Sequence, residues 1–508
     1  MQTPFAALPR RHLAWPIAIA SGLWLLRLFT NTRYGFHRDE LALLDDARRL
    51  AWGYVAYPPL TPSLARISLE LFGDSLSGFR LFAALAQSLS VVLAALIARE
   101  LGGRRGAQIV AALIAALMPF AMIAGGVMQY VSIDYLWWVL LAWLLLRLVN
   151  SGDARWWLAI GAAIGAGMLT KYTMVFCVAG IVVGTLATPL RAHLTSRWLW
   201  AGVAVSLLLF LPNALWQWRH EFVSLDFLEA IHARDMRIGR TDDFLLGQLY
   251  ANAGPLALPI WLLGLGWLAF SGAARRYRVL VWMYAVPLLL FAVAQARAYY
   301  MAPAYPMLAA AGCVAAERWL RSRQPFGKGM RRLVAGVLAT WIVLMAVGSG
   351  VLGLQLAPVN STGWRISRAV HDNFAEQIGW QDLTAEVARI YRSLPAEERM
   401  HTAIFANNYG EAGAINLYGP QYGLPPAISP INSYWYRGYG STPPRTVIVL
   451  GDTREGIADT PGECVPIGRV SNRFGVLNEE TRDHPEIFIC RNLRVRWADV
   501  WPQMHSFG

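Results

Sequence analysis

The sequence predicts a mostly α-helical, polytopic membrane protein of about eleven spans, closed by a small C-terminal α/β domain. Three observations predict it. The 508 residues are 56% hydrophobic, above the 45–50% apolar content usual for soluble domains. The apolar residues gather in runs near 13–29, 81–98, 107–124, 133–149, 156–170, 173–189, 199–215, 250–270, 279–294, 302–317 and 333–355, each close to the ~20 residues that cross a bilayer. From about residue 356 the runs stop and short alternating stretches replace them. The net charge of +13 sits in the first 355 residues, which suits basic cytoplasmic loops and not a basic nucleic-acid-binding domain.

The run at Leu13–Phe29 lacks a small-residue cleavage site and is expected to be a first span, not a signal peptide. Arg10/Arg11, Arg99/Arg104/Arg105, Arg147/Arg155, Arg191/Arg197, Arg275/Arg276/Arg278 and Arg318–Arg332 fall on alternate connections. Positive loops face the cytoplasm, so the N-terminus is expected inside and the tail outside. Loops 30–80 and 216–249, and the turns near Gln129–Asp134, Lys171 and Arg297, are then expected on the outer side. That convergence of polar residues on one face points to an active site at the outer membrane–water boundary.

The first outer loop carries Tyr34-Gly-Phe-His-Arg-Asp-Glu40, an amphipathic helix over Leu41–Trp52, and Tyr57-Pro-Pro59 before a second helix near Leu64–Phe72. Carboxylates beside a membrane exit are costly and usually functional. Asp39 and Glu40 also suit a helix N-terminus. Asp134 stands at the mouth of a span, where an N-capping role competes with a functional one. Lys171 and Lys328 are the only lysines among 45 Lys and Arg. An ammonium kept between two apolar runs needs an acidic or phosphate partner, or snorkels to the interface. His220 and His232 in loop 216–249 could join Glu40 on a metal, a weak set for that purpose. Arg297 offers a planar fork for phosphate; Tyr299 and Tyr300 beside it also suit an interfacial aromatic belt.

The tail reads as helix (Gln381–Ser393), strand (His401–Phe405), helix (Ala412–Leu417), a long aromatic loop (418–442) and strand (Thr446–Leu450), with two further strand candidates flanked by Cys464 and Cys490. Those cysteines can pair if the tail is extracytoplasmic. Cys177 and Cys313 read as small buried hydrophobes. The expected division is 1–355 as the membrane domain with its outer loops 30–80 and 216–249, and 356–508 as the outer domain.

Phe36-His-Arg-Asp-Glu40, Trp52-Gly-Tyr-Val-Ala-Tyr-Pro-Pro59, Leu169-Thr-Lys-Tyr172, Tyr299-Tyr-Met-Ala-Pro-Ala-Tyr-Pro306 and Phe405–Leu424 together resemble the polyprenyl-phosphate-sugar-dependent membrane glycosyltransferases of GT-C fold. The likeness is to the bacterial protein O-mannosyltransferase and lipid A aminoarabinose transferase type. The resemblance implies transfer of a sugar from a polyprenyl-phosphate donor to a hydroxyl of a lipid, glycan or protein of the cell envelope, at the outer face of the inner membrane. It implies Asp39, with Glu40, and Asp134 as catalytic acids, and Lys171, Arg297 and Arg38 as ligands of the donor phosphate. His37, Tyr57, Tyr299 and Tyr300 lie in the same motifs as candidate substrate-lining residues. Some members hold a divalent metal; the sequence shows no complete ligand set for one. Two other readings stay open: a transporter or flippase of lipid-linked sugar, although no internal repeat is apparent, and a non-catalytic assembly subunit.

Overall fold

The computed structural model describes residues 14–323, 327–458 and 460–508. Arg10, Arg11, the Leu13 start of the first run and part of the Arg318–Arg332 stretch lie outside the described residues. The chain divides into two compact units, one of Met1–Asn31, Arg80–Trp218 and Arg234–Leu354, the other of Thr32–Phe79, Arg219–Ala233 and Gln355–Gly508.

The first unit is helical. Four of its described helices are long and apolar enough to cross a membrane: Leu81–Glu100, Tyr130–Ser151, Arg197–Arg219 and Lys328–Gly353. Two bent pairs, Met174–Ala187 with Pro189–Thr195 and Phe244–Tyr250 with Pro255–Phe270, raise the number to six if each is one span. Eleven apolar runs are therefore not eleven continuous helices, and the breaks have local causes. The 250–270 run turns at Gly254, whose φ of 80° favours glycine, and restarts at Pro255. The 107–124 run stops at Leu117 and restarts with Pro119 at the first position of Pro119–Ala124. Small residues let the helices approach. A Cβ at Gly264 would collide with the Leu308 carbonyl oxygen, and one at Gly312 with that of Ile260. The Leu258–Phe270 and Tyr305–Ser322 helices therefore touch backbone to backbone, as helices without a hydrophobic drive between them must.

The second unit is built on a five-stranded sheet. Its strands are β1 (Thr402–Ala406), β2 (Ala427–Ile428), β3 (Thr446–Leu450), β4 (Glu463–Arg469) and β5 (Glu486–Arg491). Their order is β2-β1-β3-β5-β4. β1 pairs parallel with β2 and β3, and β5 runs antiparallel to β3 and β4. The parallel strands are apolar on both faces; every residue of β3 is buried, as a strand covered on two sides requires. The tail's strands and helices lie close to where alternation and periodicity place them: the Trp380–Ser393 helix against 381–393, and Tyr409–Tyr418 against 412–417.

One boundary differs from expectation. The break near 355 falls where the apolar runs end, but 32–79 and 219–233 group with the tail. The Arg38–Arg48 helix buries Leu41 and Leu44 completely. Leu41 packs so closely on the Tyr409–Tyr418 helix that a Cβ at Gly413 would lie 2.6 Å from its carbonyl carbon. Hydrogen bonds from Tyr34 Oη to the Ala357 carbonyl (2.5 Å), from Val55 N to Ser433 Oγ (3.0 Å) and from Ser224 Oγ to the Tyr54 carbonyl (3.1 Å) complete the attachment. Hydropathy along the chain carries no signal of pairing across more than 300 residues.

Candidate functional site

In the second unit the site grows from one helix start. His37 is the N-cap of Arg38–Arg48, and its Nδ1 accepts the Asp39 N–H (3.1 Å). Glu40 returns the bond, its Oε2 accepting the His37 N–H at 2.8 Å. This reciprocal cap satisfies donors that a helix start leaves orphaned. Glu40 is wholly buried and His37 nearly so, and both take part in the cap. Asp39 is the acid left at the surface, its side chain 41% exposed.

Asp39 Oδ1 accepts a hydrogen bond from Tyr409 Oη at 2.8 Å. That oxygen in turn accepts from Arg38 Nε (3.0 Å) and Nη2 (2.9 Å). Arg38 Nη1 pairs with Glu479 and lies 3.8 Å from Glu376. The Arg38 guanidinium is thus engaged on both edges by protein groups. Tyr409 falls inside the Phe405–Leu424 stretch but has no role assigned from the sequence; no local pattern marks a tyrosine as the partner of an acid 370 residues earlier.

Glu480 and Glu411 join Glu376 in crowding this arginine. Burial pushes Glu376 up to about 7 and Glu480 up to about 8, and lifts Glu411 well above the carboxylate range, with neighbouring acids adding to each shift. Both carboxyl oxygens of Glu411 and Glu480 are buried without a hydrogen-bond partner among the described residues. Desolvation disfavours their charged forms.

The far end of the same helix is anchored separately. Asp46 accepts from Arg437 Nη2 (2.5 Å) and Tyr57 Oη (2.5 Å). Asp45 Oδ2 accepts from Asn416 (2.6 Å) and Tyr434 Oη (2.7 Å). Tyr57, expected to line the substrate, donates its hydroxyl to Asp46. His220 packs edge-on against Tyr436, ring centres 5.2 Å apart. With Glu40 spent in its cap, the metal set His220/His232/Glu40 does not fit a metal ion. No group of three or more His, Cys, Asp or Glu among the described residues does.

The first unit holds the other sequence-derived candidates. Asp134 is not an N-cap; that position is Gln129, and Asp134 lies inside the Tyr130–Ser151 helix, 3% exposed. Its Oδ1 has no hydrogen-bond partner among the described residues. Lys171 sits between the Trp156–Met168 and Met174–Ala187 helices, with Nζ 4.0 Å from the Tyr300 ring centre, 5.4 Å from Tyr299 and 5.7 Å from Tyr130. A half-formed aromatic cage of this kind holds a desolvated ammonium through ring quadrupoles. Tyr299 and Tyr300 thus face a cation and are not belt residues. Arg297 clasps Asp235 through Nε (2.5 Å) and Nη2 (2.7 Å). Its fork is occupied by that carboxylate.

Cys464 and Cys490 form a disulfide across the β4–β5 register, with Cα atoms 4.0 Å apart. Cys177 and Cys313 are free and buried.

Residues 56–216 match the family described as dolichyl-phosphate-mannose-protein mannosyltransferase. The chain is 30% identical over 208 residues to an undecaprenyl phosphate-alpha-4-amino-4-deoxy-L-arabinose arabinosyl transferase of Pseudomonas fluorescens, spanning 38% of this chain and 36% of that protein. It is 24% identical over 348 residues to the lipid A galacturonosyltransferase RgtD of Rhizobium johnstonii, spanning 65% of this chain and 70% of that protein. The crystal structure of ArnT from Cupriavidus metallidurans bound to undecaprenyl phosphate superposes with a TM-score of 0.58 at 16% identity, covering 96% of this chain and 99% of that one. Its apo form gives the same score. The chain has the GT-C fold of these structures, and its apolar helices fit a polytopic membrane protein.

Proposed function

We propose that the protein transfers a sugar from a polyprenyl-phosphate donor to a hydroxyl of a cell-envelope acceptor, with Asp39 as the general base. The observation that carries this reading is Asp39 itself: an exposed carboxylate at a helix start, gripped through one oxygen by Tyr409 and flanked by Arg38. The carboxylate takes the acceptor's proton, the freed oxygen attacks the anomeric carbon, and the bond from that carbon to the phosphate oxygen breaks. Polyprenyl phosphate leaves with the bonding electrons. General-base help of this type is worth about 10²–10⁴ in rate. A cation near the leaving phosphate favours the transition state, where charge develops. Lys171, held by tyrosine faces in the first unit, is kept as the candidate for binding the donor phosphate. Asp134 is assigned to the donor side as the acid that shares the membrane unit with Lys171.

Supporting the reading, the matched relatives carry names of lipid-linked arabinosyl and lipid A galacturonosyl transfer. They support both a pentose and a hexuronic acid as donor sugar, and lipid A as one acceptor class. The disulfide favours an oxidising compartment for the second unit, in accord with an inner-membrane protein whose tail is extracytoplasmic.

The test supplies purified protein in detergent with polyprenyl-phosphate hexoses and pentoses one at a time, together with envelope lipids. Release of polyprenyl phosphate and a mass gain on the acceptor are expected for the wild type and lost in Asp39→Asn. Normal turnover by a folded Asp39→Asn protein would falsify the assignment.

A further inference from the structure

The hydrogen-bond directions around Asp39 are forced. Arg38 has donors only, so its Nε and Nη2 must donate to Tyr409 Oη, at 3.0 and 2.9 Å. Those two bonds occupy the acceptor side of the phenol oxygen. Its single proton is then directed to Asp39 Oδ1 at 2.8 Å. Burial raises the Tyr409 phenol above its ordinary range, which keeps that proton in place. Glu479 fixes the other end of the chain by pairing with Arg38 Nη1, and Asn408 Nδ2 donates to Glu479 at 3.3 Å.

The two ends of this chain come from different elements. Arg38 and Asp39 open the Arg38–Arg48 helix. Tyr409 is the first residue of Tyr409–Tyr418, whose N-cap Asn408 accepts the Gly410 N–H at 2.7 Å. The cap fixes the backbone that carries Tyr409, and the bonds to Arg38 and Asp39 hold its phenol oxygen.

We infer that Tyr409 is a positioning residue for the transfer reaction: its hydroxyl, polarised by Arg38, holds one oxygen of Asp39 and so fixes the plane in which the carboxylate meets the acceptor hydroxyl. This rests on the reading of Asp39 as the base. A carboxylate held through a charge-assisted chain is oriented and made less basic by the same bond. Among the groups that bear on Asp39 are His37 Nδ1 at 3.7 Å, Arg38 Nε at 3.8 Å and Tyr409. Behind Arg38 stand Glu376, Glu479, Glu480 and Glu411.

The experiment compares wild type, Tyr409→Phe and protein with 3,5-difluorotyrosine at 409, following kcat and donor KM across pH. Removing the hydroxyl takes a donor from the carboxylate. Asp39 then protonates more readily, and the acidic limb of kcat moves to higher pH by about one unit, with kcat down about 10- to 100-fold and KM within about twofold. Fluorination makes the phenol a stronger donor without removing it, and the limb moves the other way. A residue that only packs would give neither opposed shift. If Asp39→Asn is inactive while both Tyr409 proteins keep the wild-type profile, the inference about Tyr409 fails and the base assignment stands. If Asp39→Asn is active, both fall. Should Tyr409→Phe fold poorly, the fluorinated protein decides alone: an unshifted limb overturns the inference.

Discussion

The Arg38–Arg48 helix has an arginine–acid cluster at each end, and the two are built on opposite principles. At the C-terminal end, Asp45 and Asp46 are 2% and 4% exposed, and each is paired by Arg437, tyrosine hydroxyls or Asn416. Charge is matched and sealed there. At the N-terminal end one arginine serves Asp39, Glu376 and Glu479, while Glu411 and Glu480 lie buried with no hydrogen-bond partner among the described residues. Buried surplus acid beside a half-exposed carboxylate is costly for folding, and such perturbed clusters gather at functional sites. The contrast separates the end that locks the helix from the end proposed to work.

The largest expected effect is at the working end. Asp39→Asn should lower turnover by about 10²–10⁴ while leaving the melting temperature close to wild type, because the amide keeps an acceptor for Tyr409. A large fall in melting temperature would instead make Asp39 part of the lock.

Arg437→Ala should do the reverse. It strands two buried carboxylates, and breaking a buried pair from one side costs on the order of 3–5 kcal/mol. Burial already lifts Asp46 to about 6, against the pull of Arg437. Without its cation Asp46 takes a proton more easily, so the loss should be smaller at pH 5 than at pH 7.5. Thermal unfolding in detergent at the two pH values checks both statements; equal losses would show that Arg437 acts by packing.

Glu480→Gln sharpens the contrast further. Its folded value near 8 lies above the unfolded carboxylate range, so the folded state binds the extra proton. That contribution is complete at low pH and fades as pH rises from about 4.5 to 8. The amide removes the dependence, and the melting temperature of Glu480→Gln relative to wild type should rise between pH 5 and pH 8, by a few degrees for an effect of about 1–2 kcal/mol. A constant difference would place the proton elsewhere in the cluster.

The smallest effect is expected where an arginine pair is exposed. Arg454 meets Glu486 at 2.5 Å but is 71% exposed, and solvated pairs of this kind contribute little. Arg454→Ala should melt indistinguishably from wild type. A clear loss would mean that the comparison turns on pairing itself and not on burial.

The sequence alone determined what depends on local pattern. Apolar runs marked the helical membrane unit, alternation marked β1, a short apolar run marked β3, and the loss of the long runs came near residue 355. Asp39 was legible because an acid beside His and Arg at a helix start is a local arrangement. So were the Cys464–Cys490 pair and the isolation of Lys171. Tertiary structure decided the rest, because partners distant in sequence leave no periodic trace. It turned Glu40 into a cap, bound Arg297 to Asp235, placed tyrosine faces over Lys171, and brought Tyr409 and Glu479 to Arg38. The bent helices at Gly254 and Pro119 divided runs that hydropathy had joined. Hydrophobic transfer acts residue by residue and can be read along the chain. A hydrogen bond depends on where two separate segments come to rest, and only the folded chain fixes that.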